Sequence, residues 1–153
     1  MEDTLSGIKA YFESELQTEL AAIGTERGVT VPPWKNLDTA RIKDRQYPAI
    51  EIIPRTIDYE YGEEDGPFIQ PIEYHNAAAI VSQVGSEYKD VQNDLLRYVE
   101  GIRRITIDDD TYGNRFNWVR LAAMNLGEIS EAQRGGKLLQ QVTVELRIRM
   151  IRG

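Results

Sequence analysis

The sequence predicts an α+β fold: a four-stranded, mainly antiparallel sheet with two helices packed on one of its faces, in the order α-β-β-α-β-β. Three observations lead there. From Leu138 to Ile151 alternate residues form a mostly apolar set (Leu138, Gln140, Val142, Val144, Leu146, Ile148, Met150) and a largely charged or polar one (Leu139, Gln141, Thr143, Glu145, Arg147, Arg149, Ile151), which is the period of a half-buried strand. Two other stretches, Thr4 to Ile23 and Ser86 to Ile105, repeat apolar residues three and four apart, the period of a helix with one buried stripe. Extended segments bounded by glycine and proline lie between them. Elements with one apolar face each bury it by stacking, helices on sheet.

In chain order, Leu5, Ile8, Phe12, Leu16, Leu20 and Ile23 form the first stripe. Asp3 or Thr4 is the expected cap, and Gly24 the expected stop. Residues 28–46 show no sustained period and contain Pro32-Pro33-Trp34. Consecutive prolines break a helix, and a segment this long is either a cover for the body or an arm for a partner. Trp34 is its expected anchor. Tyr47 to Pro54 reads as a strand with Ile50 and Ile52 on one face, confined by its prolines to an edge or a short paired middle. The DYEYGEEDGP run that follows carries five acids and no base (Asp58, Glu60, Glu63, Glu64, Asp65), so an exposed hairpin tip is expected.

Glu73 to Val84 resumes strand character, with Ala77, Ala79 and Val81 on one face. Small side chains there let a helix approach closely. Ser86 is the expected cap of the second helix. Glu87 and Asp90 are placed near its start and Arg103 and Arg104 near its end, both favourable to the macrodipole. Trp118 to Ile129 alternates Val119, Leu121 and Ala123 against Arg120, Ala122, Met124 and Leu126. Gly135-Gly136 then turns the chain into the closing strand. That strand could reach roughly 50 Å, long for a small domain. Only two residues follow Ile151, so no later element is expected over its polar face.

The 153 residues, 41% hydrophobic and 28% charged, suit a single domain spanning 1–153. The absence of cysteine excludes disulfides, thiolate catalysis and cysteine zinc sites. No apolar run nears the ~18 residues that span a bilayer, and Met1-Glu2-Asp3 does not begin a secretory signal. A cytoplasmic protein is the expectation. The net charge of -7 disfavours non-specific nucleic-acid binding, which needs Lys and Arg to displace condensed counterions.

Chemistry-bearing constellations are sparse. His75 is the single histidine and has no recognisable nucleophile motif, so a structural role outweighs a catalytic one. Asp108, Asp109 and Asp110 offer oxygens to a hard cation but lack the alternating spacing and distal Glu of an EF-hand loop. A solvated turn is the simpler reading. Gly135-Gly136-Lys137 lacks the remaining glycine of a phosphate loop and leads into a strand. What the sequence offers is surface.

The helix, the Tyr47-Pro48-Ala49-Ile50-Glu51-Ile52 strand, the acidic turn, the second helix and the closing Val142–Ile148 strand follow one another in an order that resembles the tail terminator, or tail completion, proteins of tailed bacteriophages. The likeness covers nearly the whole chain except 28–46. It implies a non-enzymatic virion protein of the tail or neck, assembled in the host cytoplasm without a cofactor. Such proteins form a ring, commonly a hexamer, that caps the tail tube, stops its polymerisation and joins it to the head connector. The implied partners are other copies, tube protein, sheath protein where present, and the connector. DNA passes through such a ring without sequence-specific contact, and an acidic subunit would not hold its phosphates. The expected subunit or partner surfaces are Arg147, Arg149 and Arg152 on one side and Asp58, Glu60, Glu63, Glu64 and Asp65 on another, together with Trp34. Opposite signs on separated surfaces suit head-to-tail pairing. The rival readings are a head-closure or baseplate adaptor of the same assembly, and a small metal-assisted hydrolase using Asp108 and Asp109.

Overall fold

A computed structural model describes residues 1–61, 70–131 and 136–151. Its elements are α1 (Glu2–Arg27), β1 (Asn36–Asp38), β2 (Ala49–Glu60), β3 (Ile72–Gly85), α2 (Tyr88–Asp108), β4 (Trp118–Leu126), β5 (Ser130–Glu131) and β6 (Leu138–Arg149). The α+β class and both helices are as expected. The sheet is larger: six strands in the order β1-β2-β3-β6-β4, with β5 also paired to β6. It is mixed, because β1 runs parallel to β2 while β2, β3, β6 and β4 are successively antiparallel.

The closing strand is central. All twelve residues of β6 are matched by β3, from Leu138 opposite Gly85 to Arg149 opposite Tyr74, so its length is met inside the chain. Its even-numbered residues Val142, Val144, Leu146 and Ile148 are buried, and they join Ile50, Ile52, Ala77, Ala79 and Val81 in one core with the apolar stripes of α1 and α2. Both helices therefore cover the same sheet face. The alanines of β3 permit a close approach, and Gly101 of α2 lies against Leu16 and Leu20 of α1. Arg104 ties the helices together, meeting Glu26 at 2.8 Å, Glu100 at 2.9 Å and Glu19 at 3.4 Å.

Several boundaries differ from expectation. Helix α1 passes Gly24 and ends in a Schellman motif: the Val29 amide donates to the Gly24 carbonyl and the Gly28 amide to that of Thr25, with Gly28 at φ 66°. Its N-cap is Met1, not Asp3 or Thr4, and α2 is capped at Glu87, not Ser86. Because α2 runs on to Asp108, Arg103 and Arg104 fall outside its last turn. Strand β2 continues beyond Pro54 to Glu60, with a register shift between Pro54 and Ile57, where a residue without an N–H is tolerated. In β4 a bulge between Leu121 and Ala123 breaks the alternation. Met124 then lies opposite Val144 and Leu126 opposite Val142, on the same face as Val119 and Leu121.

Candidate interaction surface

The side chains of β3 and β6 that point away from the helices build the surface. Cross-strand partners share a face, so Asn76 and Arg147, Ala78 and Glu145, and Ile80 and Thr143 form successive rows. β2 and β4 extend them with Arg55, Asp58 and Arg120. Charge on this face is matched in place. Arg147 donates to Asp58 at 3.0 Å and to the Asn76 carbonyl at 3.1 Å, while the Asn76 amide donates to Asp58 at 2.8 Å. The guanidinium of Arg147 also lies 4.3 Å from the centre of the Tyr74 ring. Those hydrogen bonds, first from Arg147 and then from Asn76, hold the Asp58 carboxyl below its ordinary range. Arg55 meets Glu145 at 3.1 Å, and Arg120 stacks 4.1 Å above Trp118.

The face is partly covered. Glu51 of β2 points toward it yet is only 1% exposed, because the chain between β1 and β2 folds over it. The Glu51 carboxylate accepts from the Ile42 amide at 2.7 Å, from Arg45 at 3.0 Å and from Arg41 at 3.4 Å. A buried carboxylate needs such donors to offset its lost hydration. On the other side of the segment, the Tyr98 hydroxyl donates to the Pro32 carbonyl at 2.6 Å. Residues 28–46, expected as either a cover or an arm, form a cover.

The sequence-predicted residues fall as follows. Arg147 and Asp58, expected on two separated surfaces, lie on one face and bond to each other; that separation is corrected. Arg149 is on the same face at the row of Tyr74. Glu60 accepts from the Tyr74 hydroxyl, which raises the tyrosine pKa. Trp34 is half-buried against the core rather than displayed. Glu63, Glu64, Asp65 and Arg152 lie outside the described residues.

Asp109 is consumed by its own loop: it accepts from the Thr111 hydroxyl at 2.6 Å, the Thr111 amide at 3.0 Å and the Gly113 amide at 2.8 Å. These bonds hold its pKa down. Asp108 closes α2, and the Asp110 carbonyl accepts from the Val119 amide at 2.6 Å. Among the described residues no group of three or more His, Cys, Asp or Glu side chains is placed to hold a metal ion. His75 sits on the helix side of β3, 2.5 Å from the Thr4 hydroxyl and 2.7 Å from Glu73. The hydroxyl–imidazole–carboxylate series resembles a catalytic one, but Thr4 and His75 are 1% and 4% exposed, and a buried hydroxyl offers no approach to a substrate. The contact ties α1 to the sheet.

Neither a scan against protein-family models nor a search of curated proteins finds a match to this chain. Among the described residues no helix is long and apolar enough to cross a membrane.

Proposed function

We propose that the protein is a structural, non-enzymatic subunit of a ring that caps a bacteriophage tail tube, halts its polymerisation and joins it to the head connector. One observation carries the reading: the sheet has helices on a single face, and its other face displays an ordered polar array of Asn76, Glu145, Arg147 and Arg149. The described pockets are open grooves. A face carrying the partly exposed pairs Arg55–Glu145 and Arg147–Asp58 is suited to polar, rim-type contact with a neighbouring molecule.

The partners on this reading are other copies of the chain, the tube protein and the connector. DNA would pass through without being gripped, in keeping with a net charge of -7. The test combines mass and form. Multi-angle light scattering on the purified protein is expected to give a multiple of the 17.5 kDa chain, and negative-stain microscopy to show annular particles. Added to polymerising tube protein, the chain is expected to shorten the tubes. A strict monomer that leaves tube length unchanged overturns the proposal.

A further inference from the structure

The two layers of the fold carry opposite charge at one end of the sheet. On the open face, Tyr74, Arg149 and Trp118 stand in one row, and Asn76, Arg147 and Arg120 in the next. The rings of Tyr74 and Trp118 lean together across β6, 5.8 Å between centres, with Arg147 on the first ring and Arg120 on the second. Arg147 is answered by Asp58. Among the described residues, Arg120 and Arg149 reach no carboxylate within ion-pair distance. Tryptophan, tyrosine and arginine gathered in this way are the usual make-up of an interface centre.

The helix layer behind these rows presents acid. Thr4, in the first turn of α1, meets His75, and the Asp110 carbonyl accepts from the Val119 amide. His75 and Val119 both stand opposite Ile148, next to the row of Arg149. The start of α1 and the end of α2 therefore lie over the same end of the sheet, and they bring Glu2, Asp3, Asp108 and Asp110, all exposed. Of the bases nearby, Lys9 is paired with Glu13 at 3.8 Å and Arg115 is turned to the Tyr112 carbonyl at 2.8 Å. Arg103 shares an open groove with Asp110.

The other end of the open face is the covered one. Glu51, held under Ile42 and Arg45, shares a row with Ile80 and Thr143. Thr143 is six residues along β6 from Arg149, about 20 Å. One end of the molecule is thus three layers thick and the other two, which makes a wedge. A second copy shifted along the sheet normal brings its acidic helix ends over Arg120 and Arg149, and the wedge tilts it by the same amount at every joint. A polyanion such as DNA fits this patch less well, because Asp58 and Glu60 border it.

We propose that copies of this chain stack face to back, the helix layer of one lying on the open sheet face of the next, so that Glu2, Asp3 and Asp108 meet Arg120 and Arg149 around Trp118. The proposal rests on the ring reading and specifies its joint. Each copy uses both faces once, which makes the contact heterologous; it closes into a ring where the rotation closes.

Charge reversal tests the joint on the full chain. Arg120→Glu with Arg149→Glu makes both faces acidic at this end, and Glu2→Lys with Asp108→Lys makes both basic. Neither variant pairs with itself, because the joint would set like charges together. Mixed in equal amounts, each supplies the face the other lacks. By light scattering the parent is expected as a multimer, each variant alone as the 17.5 kDa chain with the parent's circular dichroism, and the mixture as a multimer again. Both variants keep a net negative charge, so general attraction does not account for a restored assembly. The milder Arg120→Gln with Arg149→Gln is expected to raise the dissociation midpoint about tenfold. An unchanged midpoint there, or folded reversal variants whose mixture stays dissociated, overturns the joint and leaves the ring. A parent that is a strict monomer overturns both.

Discussion

The Arg147 guanidinium and the Asp58 carboxylate, eighty-nine residues apart in the chain, bond at 3.0 Å across the intervening strand β3. Each is at least one-third exposed, so screening by water leaves the pair little to add to stability. Its consequence is local. The bond holds the Asp58 pKa down, so the contribution is present above the ordinary carboxylate pKa and is lost as pH falls through the folded value. NMR titration of Asp58 is expected to give a midpoint below the ordinary aspartate value, moving up in Arg147→Ala, with the thermal midpoint at neutral pH nearly unchanged. An unmoved Asp58 midpoint would remove Arg147 as the cause.

Glu51 is the latch of the segment that crosses the open face. Its carboxylate is 1% exposed, whereas Arg41 and Arg45 are 61% and 25% exposed. Removing the acid strands the Ile42 amide, while the arginines can turn to water. Glu51→Ala is expected to cost about 1–3 kcal/mol. It should also raise hydrogen exchange at Ile42 well above the rate at Leu146, which sits in the central strand. Unchanged protection at Ile42 would show that the segment is held by other contacts.

Much of this architecture could be read from residue order, and the exceptions share a cause. α1, α2, β3 and β6 each bury one face, so burial imprints a period on them. β1 is three residues long and owes its place to pairing with Ala49–Glu51, which no local pattern encodes. The far half of β2 is exposed on both faces and so carries no alternation. The bulge in β4 reverses the side-chain sequence midway, so simple alternation from Val119 puts Met124 and Leu126 on the wrong face. Nothing local in the sequence marks Glu51 as buried, because its burial depends on arginines from the segment before β2. On the surface, the signs of Arg147 and Asp58 were legible, but their mutual pairing was not. That pairing depends on β3 lying between them.

Tyr11, Tyr98 and Tyr112 should govern alkaline stability. Burial is the first cause for all three: it pushes Tyr11 up to about 12, with Asp109 and Glu15 adding to it, and raises Tyr98 and Tyr112 as well. Tyr112 stacks on Tyr11 at 4.2 Å between ring centres and shares a hydrogen bond with Thr106 at 2.7 Å. A raised folded pKa means the folded state holds its proton longer. The stabilisation is complete below the unfolded value of 10.0 and is lost as pH climbs through the folded values. Tyr11, Tyr98 and Tyr112 should ionise with unfolding, seen as coincident changes in phenolate absorbance and circular dichroism. Full ionisation with the far-UV signal intact would contradict this.

The end of α1 separates two reasons for glycine. Gly28 has φ 66° and open space where a Cβ would go, so Gly28→Ala meets only the backbone penalty of the left-handed region, about 1 kcal/mol. A Cβ on Gly24 would stand 2.7 Å from the Val29 carbonyl oxygen. That oxygen belongs to the residue whose amide closes the Schellman motif, so neither partner can yield without opening the turn. Gly24→Ala gains helix propensity of about 1 kcal/mol and is nonetheless expected to destabilise by about 1–3 kcal/mol, as overpacking does. The causes are separable by a second substitution at each site. Asn tolerates the left-handed region, so Gly28→Asn should recover part of what Gly28→Ala loses. Gly24→Ser adds the same Cβ as alanine and should recover nothing. Denaturant midpoints for the four variants decide the matter: a Gly24→Ala protein as stable as the parent would mean that Val29 moves aside freely and that the turn is not fixed by that contact.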